Sequence, residues 1–276
     1  MTGRRRPWDV RPPGRHESEV QLAGGVANRG QVVRVGETVR RPQRSTSPAT
    51  HALLRHLEAV GFDGAPRFLG IDTQEREVLT YIPGATVARP YPDWALTEGA
   101  LVSVAVLLRA YHRAVAGFDP TPHAWPLSPP EAFAGELVSH NDPNLDNIVF
   151  REGRAVALID FDLASPGSRV WDVACAARLW APLRPDVSIQ DARRGRTFER
   201  LRLFIDSYGL DDADRQRVAV AVLENHRWFT RLIERYVRAG HVGFTEYSRS
   251  DARIETEQFQ RWLAENEAAL RDALIR

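Results

Sequence analysis

The feature of this sequence that most constrains its fold is a change in periodicity at Pro83–Gly84. Before this dipeptide, short apolar runs, several of them rich in valine, alternate with turn residues, which is typical of strands in an antiparallel sheet. One segment, 47–60, instead shows helical spacing, with Ser47 able to cap it and Pro48 suited to its first turn. The predicted strands are 19–22, 31–35, 38–41, 67–71 and 77–82.

After Pro83–Gly84 apolar residues recur at helical spacing, and only short strands interrupt the pattern. A small β-rich region followed by a large helical one predicts an α+β protein with two lobes and a ligand-binding cleft between them. We expect a disordered tail over 1–17, an N-lobe over 18–82 and a C-lobe over 83–276. The predicted helices are 94–116, 169–180, 192–208, 213–239 and 254–275, and the strands lie near 137–139, 147–150 and 155–159.

The charge balance argues against two classes of partner. The 276 residues carry 37 basic and 36 acidic side chains, a formal net charge of +1, whereas nucleic acids and anionic membranes favour a concentrated basic excess. Every basic residue is arginine, which excludes the lysine of a P-loop and lysine Schiff-base chemistry.

The cysteine count limits the chemistry that the protein can perform, and the apolar runs indicate its cellular compartment. The single cysteine, Cys175, excludes an intramolecular disulfide and a thiolate zinc cluster, and its apolar neighbours predict a buried helix residue. Residues 1–17 are rich in Arg and Pro and contain no apolar stretch to serve as a signal peptide, and the longest apolar run, 100–108, is too short to span a bilayer. We therefore expect a cytoplasmic protein with neither nucleic acid nor a membrane as partner.

One cluster of polar residues contains the candidate catalytic and metal-binding side chains of the sequence. His140, Asp142 and Asn147 are spaced as H-x-D-x-x-x-x-N, and Asp160 follows thirteen residues after the asparagine. The polar residues border short apolar runs, so the segment predicts a hairpin that presents polar groups at its strand ends. Several carboxylates packed beside strands need a cation, and Mg²⁺ accepts a few protein oxygens together with phosphates and water.

These residue types are the ones that phosphoryl transfer requires. One carboxylate accepts the proton of the attacking hydroxyl, while an amide and a second carboxylate hold Mg²⁺ against the phosphates. Asp142 fits the first role, Asn147 and Asp160 fit the second, and His140 is expected to brace the loop by hydrogen bonding. The alternative interpretation is a polar hairpin loop with Asx turns and no catalytic role.

The segment resembles the catalytic core of the aminoglycoside phosphotransferase and choline kinase family, whose fold is that of the protein kinases. The catalytic loop of that family, H-G-D-x-x-x-x-N, is similar to residues 140–147, and its metal segment, I-D-F/W, is similar to residues 159–161. The resemblance covers roughly residues 19 to 180. It implies a two-lobed protein-kinase-like fold with a small antiparallel β-rich N-lobe and a larger helical C-lobe.

The same resemblance implies roles outside the polar cluster. Asp172 matches a family aspartate that anchors the catalytic loop from the start of a helix. The segment 79–84 resembles the hinge, where the backbone of Thr80 and Ile82 would bind adenine. Asn28, in the glycine-bearing loop 24–30, stands near the position of a family Asn or Ser.

The sequence departs from the family at four positions. Asn141 replaces the usual glycine of the catalytic loop, and Asn144 stands where a histidine is common. Without lysine, Arg40 or Arg41 must bind the phosphates. The family places an apolar residue before this cation, so Val39 favours Arg40. Where the family has the glutamate that pairs with the cation, this chain has Thr50 or His51.

The sequence thus predicts an ATP- and Mg²⁺-dependent phosphotransferase. It would transfer the γ-phosphoryl group to a hydroxyl of a small molecule, such as an aminoglycoside antibiotic or an amino alcohol. The alternative is a catalytically inactive kinase-like protein that binds a ligand or peptide, for example as an immunity factor. Fold resemblance alone does not separate these two functions.

Overall fold

The computed structural model describes residues 18–22, 30–135, 137–240, 245 and 252–275. The predicted tail 1–17 and residue Asn28 lie outside the described residues.

A small antiparallel sheet occupies the first part of the chain. Its strands are β1 (Val20–Gln21), β2 (Val33–Val35), β3 (Thr38–Pro42), β4 (Phe68–Ile71) and β5 (Arg76–Thr80). The strand order is β1–β2–β3–β5–β4 with every neighbouring pair antiparallel, which confirms the predicted sheet. The turn at Gly36–Glu37 places Val33 opposite Arg40, the register that a two-residue turn predicts.

One helix, α1 (Ser47–Ala59), packs against this sheet. Its buried residues Leu53, Leu54 and Leu57 lie on one face and join the main core. Pro48 lies in the first turn as predicted, but Thr46 rather than Ser47 is the N-cap residue. The hydroxyl of Ser47 instead accepts a hydrogen bond from the Arg44 backbone N–H at 2.9 Å.

The remainder of the chain is mostly helical. Its helices are α2 (Glu98–Val115), α3 (Arg169–Trp180), α4 (Thr197–Tyr208), α5 (Asp212–Arg238), Ala252–Glu265 and Glu267–Leu274. Its strands are β6 (Leu137–Ser139), β7 (Ile148–Arg151), β8 (Arg154–Leu158) and β9 (Ser165–Gly167). β6 pairs with β9, and β7 pairs with β8 as the predicted hairpin.

Three helix predictions differ from the structure in their bounds. The predicted helix 94–116 is a 3₁₀ turn, Asp93–Leu96, followed by α2, which begins anew because Thr97 caps it through the Ala100 N–H. The predicted helix 192–208 begins only at Thr197, after Gly195 in a left-handed conformation. The predicted helix 254–275 is interrupted at Asn266.

The main core lies between α2, α3, α4 and α5. Fully buried aromatic residues, among them Tyr111, Trp171 and Phe204, form one continuous apolar cluster with the leucines of α2. Each fully buried side chain of this size contributes about 1.5–3 kcal/mol. Cys175 is buried in this core, as its apolar neighbours predict. None of the described helices has the length and apolar character that crossing a membrane requires.

Backbone hydrogen bonds fix the β7–β8 hairpin to two segments next to the sheet. Ala85, in the chain just after β5, exchanges both backbone hydrogen bonds with Phe150 of β7, at 2.9 and 2.8 Å. The carbonyl of Gly64, in the loop after α1, accepts a hydrogen bond from Leu158 of β8 at 2.9 Å. The predicted hairpin is therefore held against the loop after α1 and the chain that leaves the sheet.

Gly84 provides a test of this junction, because a side chain there would collide with β7. A Cβ atom at Gly84 would lie 2.5 Å from Val149 Cγ1 and 2.6 Å from the Phe150 carbonyl oxygen. Gly70 has a similar positive φ, +139° against +153°, but no atom within 4 Å. We expect Gly84→Ala to lower the free energy of unfolding by about 1–3 kcal/mol more than Gly70→Ala, as measured by urea unfolding. Equal losses in the two variants would contradict the tight packing at this junction.

Candidate active site

The hairpin β7–β8 brings the two halves of the polar cluster together. A 3₁₀ turn, Leu145–Asn147, leads into β7, and Asp160 follows the end of β8. The Ile159 N–H donates to the Asn147 carbonyl at 2.9 Å, so Asn147 lies beside the residue that precedes Asp160.

Asp142 is held by two amides of its own loop. Asn144 Nδ2 donates to Asp142 Oδ1 at 2.9 Å, and Asn147 Nδ2 donates to Asp142 Oδ2 at 2.9 Å. Desolvation by the surrounding groups raises the pKa of Asp142 to about 8, although the Asn144 hydrogen bond opposes it. A carboxyl group with a pKa in this range can exchange a proton with a substrate near neutral pH.

His140 is fully buried and connects the two halves of the cluster. Its Nδ1 atom accepts a hydrogen bond from the Asp142 backbone N–H at 3.3 Å, and its Nε2 atom lies 3.0 Å from the Ile159 carbonyl. This arrangement requires the neutral tautomer with its proton on Nε2. Burial lowers the pKa of His140, although Asp172 opposes the shift, which favours this neutral form.

Asp172, at the start of α3, fixes the first residues of the catalytic loop through hydrogen bonds. Its carboxylate accepts hydrogen bonds from the backbone N–H groups of His140, at 2.7 Å, and Asn141, at 2.8 Å. His112 of α2 lies 2.9 Å from the same carboxylate through Nε2. Burial would raise the pKa of Asp172, but the hydrogen bond and charge of His112 together with the loop donors lower it. The carboxylate is therefore ionised and fully engaged.

Asn141 occupies the loop position where the related family usually has glycine. Its φ of +67° is left-handed, a conformation that asparagine tolerates better than most residues. Its amide donates to the Leu163 carbonyl at 2.7 Å and accepts from the Trp171 indole at 2.9 Å. The substitution of glycine by asparagine thus keeps the loop conformation and adds side-chain hydrogen bonds.

Across the cleft, Arg41 of β3 meets three carboxylates. Its guanidinium lies 2.5 Å from Glu77, 3.0 Å from Asp160 and 2.8 Å from Asp162. Burial alone would lower the pKa of Arg41, but Asp162, Asp160 and Glu77 raise it above its ordinary value. Burial and the Asp162 charge raise the pKa of Asp160, against the pull of Arg41. Arg44 also pairs with Asp162, at 2.8 Å.

Arg40, the arginine predicted to bind the phosphates, does not contact the other predicted site residues. Adjacent residues of a strand face opposite sides of the sheet, so only one of the two arginines faces the cleft. The register sets Arg41 opposite Glu77, while Arg40 lies 3.4 Å from Asp72 in the turn after β4. The structure therefore places Arg41, rather than Arg40, beside Asp160.

His51 of α1 completes the network around Arg41. Its Nε2 atom lies 2.7 Å from Glu77 Oε2, and its ring stacks on Phe68 at 3.7 Å between centroids. Thr50, the alternative residue at this position, makes no side-chain hydrogen bond with Arg41 or Glu77 in the described part of the chain. The helix therefore supplies an imidazole, and the carboxylate comes from β5.

The predicted hinge residues differ in how their backbones are used. The Thr80 N–H donates to the Arg67 carbonyl at 2.9 Å. Ile82 makes no backbone hydrogen bond to any residue that the structure describes.

The donor atoms present fit a magnesium ion. Asn147 Nδ2 is turned towards Asp142, and neither Asn147 Oδ1 nor Asp160 Oδ2 accepts a hydrogen bond from a described residue. No group of three or more His, Cys, Asp or Glu residues suited to a metal occurs in the described part of the chain. An amide and a carboxylate oxygen suit Mg²⁺, which takes its remaining ligands from phosphates and water.

Comparison with known proteins agrees with this geometry. The family model of the phosphotransferase enzyme family matches residues 123–204, which contain the whole polar cluster. The trifolitoxin immunity protein of Rhizobium leguminosarum bv. trifolii is 35% identical over 205 residues, 71% of this chain and 76% of that protein. The chain belongs to the phosphotransferase enzyme family.

Solved structures show the same fold at low sequence identity. A choline/ethanolamine kinase family protein from Mesorhizobium loti has a TM-score of 0.60 and 15% identity, covering 93% of this chain and 92% of its own. An ADP-bound aminoglycoside phosphotransferase has a TM-score of 0.58 and 14% identity, covering 95% and 96%. The two-lobed kinase-like α+β fold expected from the sequence is therefore confirmed.

Sequence reasoning missed Glu77, the acidic partner of Arg41 on the neighbouring strand β5. Glu77 is 1% exposed, and its position in phase with the buried Leu79 was a usable signal, since a charged residue on the inner face of a strand needs a partner. Arg44 precedes α1 in a segment without periodicity, so nothing in the sequence indicated its contact with Asp162.

Asp172 offers a test of the loop support. In Asp172→Asn, a single amide oxygen faces the three donors from His112, His140 and Asn141, and the amide N–H groups point at the same donors. We therefore expect the free energy of unfolding to fall by about 2–4 kcal/mol. The matched variant is Asp212→Asn, an exposed aspartate at the start of α5, with an expected loss below about 1 kcal/mol.

The pH dependence of the same comparison follows from the lowered pKa of Asp172. The contribution of a carboxylate whose pKa is lowered by folding is present above its unfolded value of about 4 and is lost as the pH falls through the folded value. Urea unfolding should therefore show a constant difference between wild type and Asp172→Asn above about pH 5, shrinking in stronger acid. Equal stability of Asp172→Asn and Asp212→Asn at neutral pH would contradict the supporting role.

Proposed function

We propose that the protein is a small-molecule kinase that transfers the γ-phosphoryl group of ATP to a hydroxyl of its acceptor. The observation that carries this proposal is the carboxyl group of Asp142, oriented by two amides and given a raised pKa, opposite the cationic network of Arg41. A pure binding module has no use for an oriented proton acceptor next to paired phosphate-binding groups.

Asp142 acts on the acceptor in this proposal. Its carboxylate accepts the proton of the acceptor hydroxyl as the oxygen forms its bond to the γ-phosphorus and the bond to the β-phosphate oxygen breaks. Asn144 and Asn147 keep this carboxylate oriented, and His140 with Asp172 maintains the loop. The acceptors that the family resemblance implies are aminoglycosides and amino alcohols.

The nucleotide lies between the sheet and the catalytic loop in this proposal, with residues 18–82 as its lobe and residues 83–276 carrying the acceptor site. Asn147 and Asp160 would hold Mg²⁺, which when bound neutralises charge on the phosphates. Arg41 contacts phosphate oxygens through its planar fork, and the backbone of Thr80 and Ile82 binds adenine. Asn28 belongs to the loop that would cover the phosphates.

A second candidate function is binding without catalysis, as in an immunity factor. The 35% identity to the trifolitoxin immunity protein favours it. The ion pairs of Asp160 and Asp162 with Arg41 and Arg44 point the same way, since carboxylates already neutralised by arginine have less need of a metal.

ATP turnover separates the two candidates. Thermal stabilisation by ATP with and without Mg²⁺ is measured first, followed by ADP release with aminoglycosides, amino alcohols, sugars and nucleosides as acceptors. A kinase shows Mg²⁺-dependent stabilisation and acceptor-dependent ADP release, and Asp142→Asn lowers kcat by about 10²–10⁴ while keeping nucleotide binding. Stabilisation without turnover for every acceptor supports the binding function, and turnover of Asp142→Asn within a few-fold of wild type removes Asp142 from its proposed role.

The pH profile of this turnover tests the raised pKa of Asp142. Only the carboxylate accepts a proton, so kcat/KM for Mg·ATP should rise about tenfold per pH unit below about pH 8 and level off above it. Asp146→Asn is the control. Removing this neighbouring negative charge should move the inflection of the pH profile to a lower pH without abolishing it. A flat wild-type profile between about pH 6 and 9 would exclude this assignment.

Arg41 and Arg40 form a matched pair of adjacent arginines on opposite faces of β3. We expect Arg41→Gln to raise the KM for ATP about 10–100-fold, because it removes the cation nearest to Asp160. Arg40→Gln should change KM by less than about threefold, since it loses a 3.4 Å contact with Asp72 and no contact with Asp160. Steady-state kinetics of both variants decide the matter, and greater sensitivity at Arg40 would overturn the assignment.

A further inference from the structure

The end of α3 lies against the catalytic loop, and a second group of arginines surrounds it. The Trp180 indole donates to the carbonyl of Pro143, the residue after Asp142, at 3.0 Å. Arg193 donates to the Leu179 carbonyl at 3.0 Å, and Arg200 donates to the Trp180 carbonyl at 3.1 Å. These bonds fix the segment that follows α3 next to the proposed proton acceptor.

Tyr91 connects this segment to the chain that follows the hinge. The guanidinium carbons of Arg89 and Arg193 lie 5.6 and 5.1 Å from the centre of the Tyr91 ring. Arg89 Nε also donates to the Tyr91 hydroxyl at 3.1 Å. Arg193 is neutralised by Asp191, with contacts of 2.9 and 2.7 Å, so its charge is satisfied within the protein.

Arg184 is different, because its charge is not paired. Its guanidinium makes no hydrogen bond or ion pair with any residue that the structure describes, and its Nε atom is buried. Burial and the charges of Arg89 and Arg193 lower the pKa of Arg184, and arginine stays protonated at neutral pH despite such a shift. A partly buried cation without an anionic partner is costly unless a ligand supplies the partner.

The surroundings of Arg184 are positive overall. Besides burial, the guanidinium groups of Arg89 and Arg193 lower the pKa of Arg184, and the carboxylates that oppose this excess are Asp191, beside Arg193, and Asp146, near Arg89. Arg178, in the last turn of α3, adds a positive charge near Asp142 itself. A polycationic acceptor would meet repulsion here, whereas guanidinium forks match carboxylate and phosphate oxygens.

We propose that Arg184 and Arg89 bind an anionic group of the acceptor, a carboxylate or a phosphate, whose hydroxyl lies at Asp142. The role of the bound anion as part of an acceptor rests on the proposed function. The anion site itself would exist whether or not the protein transfers a phosphoryl group. It makes the acceptor a hydroxyl compound with negative charge and disfavours aminoglycosides.

Site-resolved chemical modification tests the anion site without any turnover. Phenylglyoxal modifies arginines, and peptide mass spectrometry gives the rate at each one. Inorganic phosphate should slow the modification of Arg184 by about fivefold or more in the presence of saturating Mg·ADP, which occupies the nucleotide site. Arg194, an exposed arginine ten residues away that makes no described side-chain hydrogen bond, is the control and should be unaffected. Equal protection of Arg184 and Arg194, or none at either, overturns the anion site.

Kinetics test whether that site serves the acceptor. Glycerate, glycerol and 3-amino-1,2-propanediol offer hydroxyls on the same three-carbon skeleton with negative, zero and positive charge, and glycerol 3-phosphate replaces the carboxylate by a phosphate. The two anionic compounds should have the highest kcat/KM, and their ratio identifies the preferred anion. Arg184→Gln and Arg89→Gln should raise the KM for these acceptors about 10–100-fold with a smaller effect on kcat, while Arg194→Gln should match wild type.

The outcomes are distinguishable from failure of the proposed function. A preference for the cationic compound, or unchanged KM values in Arg184→Gln and Arg89→Gln, overturns the acceptor proposal although the protein is a kinase. Absence of ATP turnover overturns the proposed function and with it the acceptor role. Protection of Arg184 by phosphate would in that case still establish an anion site.

Discussion

The geometry of the candidate site depends on the buried carboxylate of Asp172. Two consecutive backbone N–H groups, of His140 and Asn141, and the imidazole of His112 converge on it, so the start of the catalytic loop has one hydrogen-bonded arrangement available. The left-handed turn at Asn141 follows, and the Asp142 backbone N–H after it donates to His140 Nδ1. Because three donors share one ionised group in a buried environment, removal of the charge leaves more than one polar group unsatisfied.

The cation of the sheet is supported differently from that of the related family. There, a helix carries the glutamate that pairs with a strand lysine, whereas here the helix carries His51 and the neighbouring strand carries Glu77. Arginine spreads its charge over a fork with five N–H groups, so it can contact Glu77, Asp160 and Asp162 at the same time. A lysine in this position would present one compact ammonium group and could not bridge the strand and the loop in the same way.

Sequence patterns predicted those features that depend on local periodicity and spacing. The β7–β8 hairpin, the order of strand and helix regions, the turn register at Gly36–Glu37 and the burial of Cys175 all follow from short-range signals. The identity of the cleft-facing arginine did not, because adjacent strand residues alternate sides and only the pairing with Glu77 on β5 sets the phase. The cluster around Arg184 could not be predicted from the sequence either. It brings together segments about a hundred residues apart through contacts with Tyr91 and Trp180.

The β7–β8 hairpin has a mechanical consequence for the sheet. Gly64 bonds to Leu158 and Ala85 bonds to Phe150, so the hairpin is fixed by its backbone both to the loop after α1 and to the chain just after β5. The strand β3 is connected to the segment after β8 through side chains instead, by the ion pairs of Arg41 with Asp160 and Asp162. Breaking these ion pairs would release β3 from that segment while both backbone connections stay intact, so a separation of the two regions would cost least at Arg41.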